Sequence, residues 1–305
     1  MNTERFTFSG SGGQLLPAVV WTPECPKAVI QVTHGMTEHM GRYKDFAAQM
    51  CQAGIAVAGF DLRGHGANEG NPQVASFGVG GWDASLADMH LFAGVLANRF
   101  PGLPRFMLGF SLGSFLLREY IGKYPEDHIA GAMIMGTGQQ PGWLMSILMS
   151  VVQGQVRKAG FDQTTDLVRQ LSFDTYNQKF KPNRTNADWL CGETAALDDY
   201  LADPLVRPNI SAGLFWELLG SMKRTGSKTA YDCWNKNLPI LLLSGQDDAV
   251  GDGGKGVQAV LQAMKKAGLT DVSIQLFPGA RHDLLHEKAG VEAMEAITNW
   301  INTFI

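Results

Sequence analysis

The sequence predicts an α/β fold, a mainly parallel, twisted sheet with helices on both faces and a helical segment inserted late in the chain. Three observations carry that expectation. Short apolar runs alternate with helix-like segments in the first part of the chain, and a serine flanked by glycines stands between one such run and a helix. The alternation then stops between about Gln139 and Lys236 before it resumes.

Ala28–Thr33 is the first apolar, β-branched run, and Tyr43–Gln52 is the helix-like piece after it. Ile55–Phe60 follows. Runs without polar alternation suit strands covered on both faces. Trp82–Asn98 is expected to be helical because Leu86, Met89, Ala93 and Leu96 recur at helical spacing. Arg105–Arg118 comes next, first strand-like and then helix-like, and Ile129–Ile134 is a further buried-type run. After the break, Pro239–Ser244 and Val272–Phe277 have the composition of the last strands. In between, Trp143–Gln155, Asp166–Ser172 and Ser211–Lys223 are helix-like and no convincing strand occurs. Residues 139–236 are therefore expected to form a helical cap on a core built from 1–138 and 237–305.

With 305 residues, 45% of them hydrophobic, the chain is ample for a large core. A net charge of −4 and the lack of any basic block or stripe argue against a nucleic-acid partner. The first residues, Met1–Phe6, have no basic segment followed by an apolar core, so no signal peptide is expected. Trp143–Val152, the densest apolar stretch, is too short to span a bilayer. Cys25, Cys51, Cys191 and Cys233 are scattered and unclustered with histidine. Reduced thiols and a cytoplasmic location follow as the expectation.

The chemistry centres on Gly109-Phe110-Ser111-Leu112-Gly113. A serine at the apex of a sharp strand-to-helix turn sits in a strained backbone, and glycines two residues away on each side remove side chains that would collide with neighbouring elements. Ser111 is thus the candidate nucleophile. Such a serine needs an acid and then a histidine downstream, each after a later strand. Gly245-Gln246-Asp247-Asp248 follows one strand and Pro278-Gly279-Ala280-Arg281-His282 follows the next. His282 is the candidate base; composition does not rank Asp247 against Asp248. Acyl transfer also needs backbone N–H donors for an oxyanion, one after the nucleophile and one from an early loop. The amides of Leu112 and of Met36, in His34-Gly35-Met36-Thr37-Glu38-His39, stand in those places. His282-Asp283-Leu284-Leu285-His286 has the spacing of a helical zinc motif, but Pro278-Gly279 marks a loop and a third ligand is unassigned, so no metal and no cofactor is expected.

These pieces together resemble the α/β-hydrolase family, and more narrowly its monoacylglycerol lipase and lysophospholipase-like branch. The resemblance rests on His34–His39 with Gly41-Arg42-Tyr43, Asp61-Leu62-Arg63-Gly64-His65-Gly66, Gly109–Gly113, Gly245–Asp248 and Ala280–His282, in the family's order over most of the chain. In the cap, Asn183-Arg184-Thr185, Asp188-Trp189-Leu190 and Asp203-Pro204-Leu205 resemble the bacterial branch. Asn68 departs from it, standing where a small serine is common. The resemblance implies an α/β-hydrolase fold, selects Asp248 as the acid, and makes His34 and His65 structural ties between loops. It also implies hydrolysis of a carboxylic ester, a small-molecule or lipid substrate of the monoacylglycerol or lysophospholipid type. Peptidases, thioesterases, acyltransferases and small-ester esterases share this fold and triad, and some such folds only bind. Trp143–Val152 and Leu214–Met222 carry more apolar residues than one buried face requires. Ordinary packing, an acyl-chain tunnel, or transient contact of the cap with a membrane surface would each use them.

Overall fold

In the computed structural model, which describes residues 1–305, the apolar runs become strands of one sheet. The strands are β1 (Asn2–Ser9), β2 (Leu15–Thr22), β3 (Ala28–Thr33), β4 (Ile55–Phe60), β6 (Arg105–Phe110), β7 (Gly131–Met135), β9 (Ile240–Gly245) and β10 (Val272–Phe277). A separate ladder joins two short strands, β5 (Val74–Ala75) and β8 (Asn209–Ile210). The large sheet runs β1-β2-β4-β3-β6-β7-β9-β10. All pairs from β4 to β10 are parallel, whereas β1–β2 and β2–β4 are antiparallel. Every residue of β3 and of β4 is buried, as strands covered on both faces must be.

Helices cover both faces with apolar stripes. On one side α1 (Lys44–Gln52) buries Phe46, Ala47 and Met50, and α10 (Gly290–Ile301) buries Ala293, Met294, Ile297 and Ile301. The other side carries α2 (Gly81–Arg99), α3 (Leu112–Lys123) and α9 (Lys255–Lys266), whose Val257, Val260, Leu261 and Met264 follow the i, i+3, i+4, i+7 pattern of a half-buried helix. A two-sided core results. The turn joining β1 to β2 is fastened to it by Arg63, which forks onto the buried Asp88 carboxylate of α2 at 2.5 and 2.9 Å and donates to the Ser11 carbonyl and Gln14 Oε1 of the turn.

Between β7 and β9 the chain leaves the sheet edge. This stretch holds α4 (Gly142–Ala159), α5 (Asp166–Arg169), a π turn at Gln170–Asp174, α6 (Thr175–Asn177), α7 (Thr194–Ala202) and α8 (Ala212–Thr225). Thr165 and Ser211 cap α5 and α8 by accepting the amides of Val168 and Leu214. The buried Arg118 of α3 grips the root of the segment at both ends. Its guanidinium donates to Thr137 Oγ1 and the Gly138 carbonyl at the exit, and to the Thr225 carbonyl and Tyr231 hydroxyl at the return. The β5–β8 pairing lashes the segment again, to the loop after β4. No helix is long and apolar enough to cross a membrane.

Candidate active site

Register places the key loops together. Thr33 of β3 pairs with Gly109 of β6, Phe110 with Met135 of β7, and Gly245 of β9 with Phe277 of β10, so the loops after these strands leave from one edge. Open parallel sheets hold their sites at that edge. Ser111 sits at the turn from β6 into α3 with φ 50° and ψ −115°, a strained conformation for a residue with a side chain. The flanking glycines explain how it is tolerated. A Cβ on Gly109 would lie 2.4 Å from the Gly113 carbonyl oxygen, and one on Gly113 would lie 2.1 Å from that of Thr33.

The structure brings Ser111, His282 and Asp248 into one line. Ser111 Oγ is 2.8 Å from His282 Nε2, and His282 Nδ1 is 3.0 Å from each Asp248 carboxylate oxygen. Asp248 is fully buried and also accepts from the Val250 amide and the Ser244 hydroxyl, while Asp247 beside it is exposed. Geometry therefore separates two carboxylates that composition leaves equal. Phe110 and Trp189 flank the imidazole with ring centroids 5.0 and 5.1 Å away. His286, four residues on, turns elsewhere: Nδ1 meets Asp283 at 2.8 Å and Nε2 the Arg42 carbonyl at 3.2 Å.

Met36 and Leu112 both border the space in front of Ser111. Leu112 opens α3, so its N–H has no acceptor within the helix. The Gly35–Met36 peptide is held from behind by His34, whose Nδ1–H donates to the Gly35 carbonyl at 2.7 Å while Nε2 accepts the Leu62 amide at 2.9 Å. In a trans peptide the N–H points away from the carbonyl, so this bond also sets the direction of the Met36 N–H. Burial pushes the pKa of His34 down to about 3 and that of its neighbour His65 to about 3, which keeps both rings neutral. Asn68 ties the same region by donating to the carbonyls of Asp61, Leu62 and His65.

Several residues that sequence reasoning left without a role surround this core. Thr37 has φ +69°, a left-handed conformation that costs a β-branched residue on the order of 1–3 kcal/mol. Its hydroxyl donates to the Met36 carbonyl and meets the Tyr200 hydroxyl of α7 at 2.7 Å. Glu38 accepts from the Gly35 amide, the Tyr43 hydroxyl and Arg42 Nε. Arg42 also donates to Asp283 at 2.5 Å and lies 4.7 Å over the Tyr200 ring. Burial opposes charge on Asp283, yet His286 and Arg42 hold its carboxyl well below the usual carboxylate range. The signal for this network was the pairing of Glu38 with Arg42-Tyr43, but its partner 241 residues away was not readable.

Two cavities flank the site, and the first of them reaches Ser111. One, of about 320 Å³, is walled by Leu144, Met145 and Leu148 of α4, Phe215, Leu218, Leu219 and Met222 of α8, and Phe115, and no lining residue is charged. The other, of about 470 Å³, has mixed walls, with Arg169, Asp174 and Asp203 beside Phe173, Leu190 and Val206, and does not itself touch Ser111. A narrow space lined by Ser111, His282, Trp189 and Tyr200 lies between them.

A family model described as serine aminopeptidase, S33, matches residues 24–289. The monoacylglycerol lipase of Mycolicibacterium smegmatis is 26% identical, over 97% of this chain and 95% of that protein. Homo sapiens monoglyceride lipase is 26% identical, over 96% and 87%. Among solved structures, a highly thermostable carboxyl esterase from Bacillus coagulans in complex with glycerol superposes with a TM-score of 0.87 at 23% identity, covering 100% of this chain and 99% of that one.

Proposed function

Because the chain belongs to the serine aminopeptidase S33 family of α/β-hydrolases, we propose that it hydrolyses carboxylic esters of the monoacylglycerol or lysophospholipid type through Ser111, His282 and Asp248. Ser111 Oγ attacks the ester carbonyl as its proton passes to His282 Nε2. The Met36 and Leu112 amides receive the oxyanion, and Asp248 orients and stabilises the imidazolium. His282 returns the proton to the leaving alcohol, leaving an acyl-serine. Water, deprotonated by the same imidazole, then releases the carboxylic acid.

The observation that carries the substrate class is the uncharged apolar cavity that reaches Ser111 between α4 and α8. An acyl chain fits its chemistry, while a polar alcohol fits the narrow space beside His282 and Tyr200 and the mixed cavity beyond it. An aminopeptidase would need a partner for a substrate ammonium on the acyl side, and no carboxylate lines that cavity. The relatives in which monoacylglycerol lipase activity is named support the same class.

A fluorophosphonate probe should label the purified protein at Ser111 and not the Ser111→Ala variant. On a panel of p-nitrophenyl esters, monoacylglycerols, lysophospholipids and aminoacyl amides, each added methylene should raise kcat/KM about three- to fourfold, since burying one CH₂ contributes about 0.8 kcal/mol. The rise should level off where the cavity ends. Equal kcat/KM for two-carbon and ten-carbon acyl groups below micelle formation, or a preference for aminoacyl amides, would overturn the lipid reading.

A further inference from the structure

The geometry points to Tyr200, on the inserted segment, as a positioning residue for the oxyanion hole, acting through the strained Thr37. The inference rests on the reading of the Met36 amide as an oxyanion donor. Met36 lies between two peptide groups. The first, Gly35–Met36, is held by His34 through the Gly35 carbonyl. The second, Met36–Thr37, is held through the Met36 carbonyl by the hydroxyl of Thr37. That second tie depends on Thr37 staying at φ +69°, which a β-branched residue does not hold unaided.

The inserted segment supplies what holds it. Since the Thr37 hydroxyl donates its proton to Met36, the Tyr200 hydroxyl at 2.7 Å must be the donor between the two side chains. Tyr200 is itself seated by the Arg42 guanidinium over its ring, and burial raises its pKa to about 12, so its proton is retained. The Thr37 carbonyl is fixed from the same side by the Arg207 amide at 2.9 Å. The buried Arg207 also donates to the Asn68 carbonyl, so one stretch of the segment clasps two loops of the core. A hydroxyl from the segment thereby finishes the backbone geometry of the oxyanion loop, and the hole is complete only while the segment is closed over it.

A double-mutant cycle tests this, using Tyr200→Phe, which keeps the ring under Arg42, and Thr37→Gly, for which the left-handed conformation carries no strain. With a short-chain acetate ester, Tyr200→Phe should lower kcat about tenfold, less than deletion of an oxyanion donor, with KM changed less than twofold. Affinity for a boronic acid transition-state analogue should fall in parallel. Thr37→Val should reproduce the loss and Thr37→Ser should restore it. In the Thr37→Gly background, Tyr200→Phe should alter kcat less than twofold, because the hydroxyl has lost the group it acts on. If Tyr200→Phe raises KM alone, or lowers kcat equally in both backgrounds, Tyr200 touches substrate instead and the positioning role is overturned. End-point fluorophosphonate labelling of the wild type separates the two levels. A fully labelled, active wild type with unaltered Tyr200→Phe kinetics removes only the positioning role, whereas an unlabelled, inactive wild type removes the hydrolase reading itself.

Discussion

At the scale of single residues, adjacent positions with the same chemistry are separated by burial. Asp248 accepts three kinds of donor inside the protein and Asp247 faces solvent. Ser111→Ala and His282→Ala should each reduce ester hydrolysis on the order of 10⁴-fold or more, because a nucleophile and its base act as a unit. Asp248→Asn should cost less than either, and Asp247→Asn should stay within about twofold of wild type. A steady-state comparison in folded protein checks the order, and a greater loss from Asp247→Asn would reassign the acid. Ser111, His282 and the glycines around the elbow were legible because each obeys a local rule of chain order or steric clearance. Thr37 was not. Its positive φ breaks the rule for its residue type, and the groups that maintain it come from positions 200 and 207, far beyond any local pattern.

Among the elements, the buried parallel strands were the easiest to read, since their apolar runs suffice to define them. The first antiparallel pair was missed because β1 buries only Phe8 and half-buries Phe6 and Pro17 interrupts the apolar run of β2, and the β5–β8 ladder because its strands are two residues long. The apolar helix α4 shows why composition alone left several uses open. Leu144, Met145 and Leu148 turn inward to the cavity, while Trp143, Ile147 and Val151, at i, i+4 and i+8, turn outward and are 67%, 54% and 43% exposed. Both faces are apolar, so neither packing nor cavity lining by itself accounts for the helix. An outward stripe of this kind suits shallow contact with a lipid surface. Trp143→Ser combined with Ile147→Ser should therefore lower turnover of long-chain esters presented in vesicles several-fold, and leave hydrolysis of a monomeric short-chain ester within about twofold. Co-sedimentation with the vesicles should fall in step. Equal losses on both substrates would show that the stripe supports the fold of the segment and not its contact with lipid.

For the molecule as a whole, the two neutral histidines behind the site tie stability to pH. His34 and His65 keep pKa values of about 3 when folded, largely through burial, against about 6.5 when unfolded. Above pH 6.5 both states are neutral and nothing changes. As pH falls from 6.5 toward 3, the unfolded chain takes up protons that the folded protein refuses, so folding stability declines. Each ring contributes a loss of about 2 kcal/mol between pH 6.5 and 5, at 1.36 kcal/mol per unit. Glu217 of α8 works in the opposite sense. Burial raises its carboxyl to about 7, so the folded protein binds a proton there across the same window and offsets part of that loss as pH falls, by less than either fully buried ring because solvent screens this partly exposed carboxyl. The net expectation is that the wild type loses stability between pH 6.5 and 5, by less than the two rings together because Glu217 and His286, whose pKa Asp283 raises, both favour proton uptake by the folded protein. Glu217→Gln, which cannot take up that proton, should lose more than the wild type over the same window, as measured by urea unfolding at the two pH values. A wild-type midpoint that is flat or rises toward pH 5, with Glu217→Gln behaving alike, would mean that His34 and His65 are charged in the folded protein. The bond from the Leu62 amide to His34 Nε2 could not then exist, and the ring that holds the Gly35 carbonyl, and with it the direction of the Met36 N–H, would lose the contact that orients it.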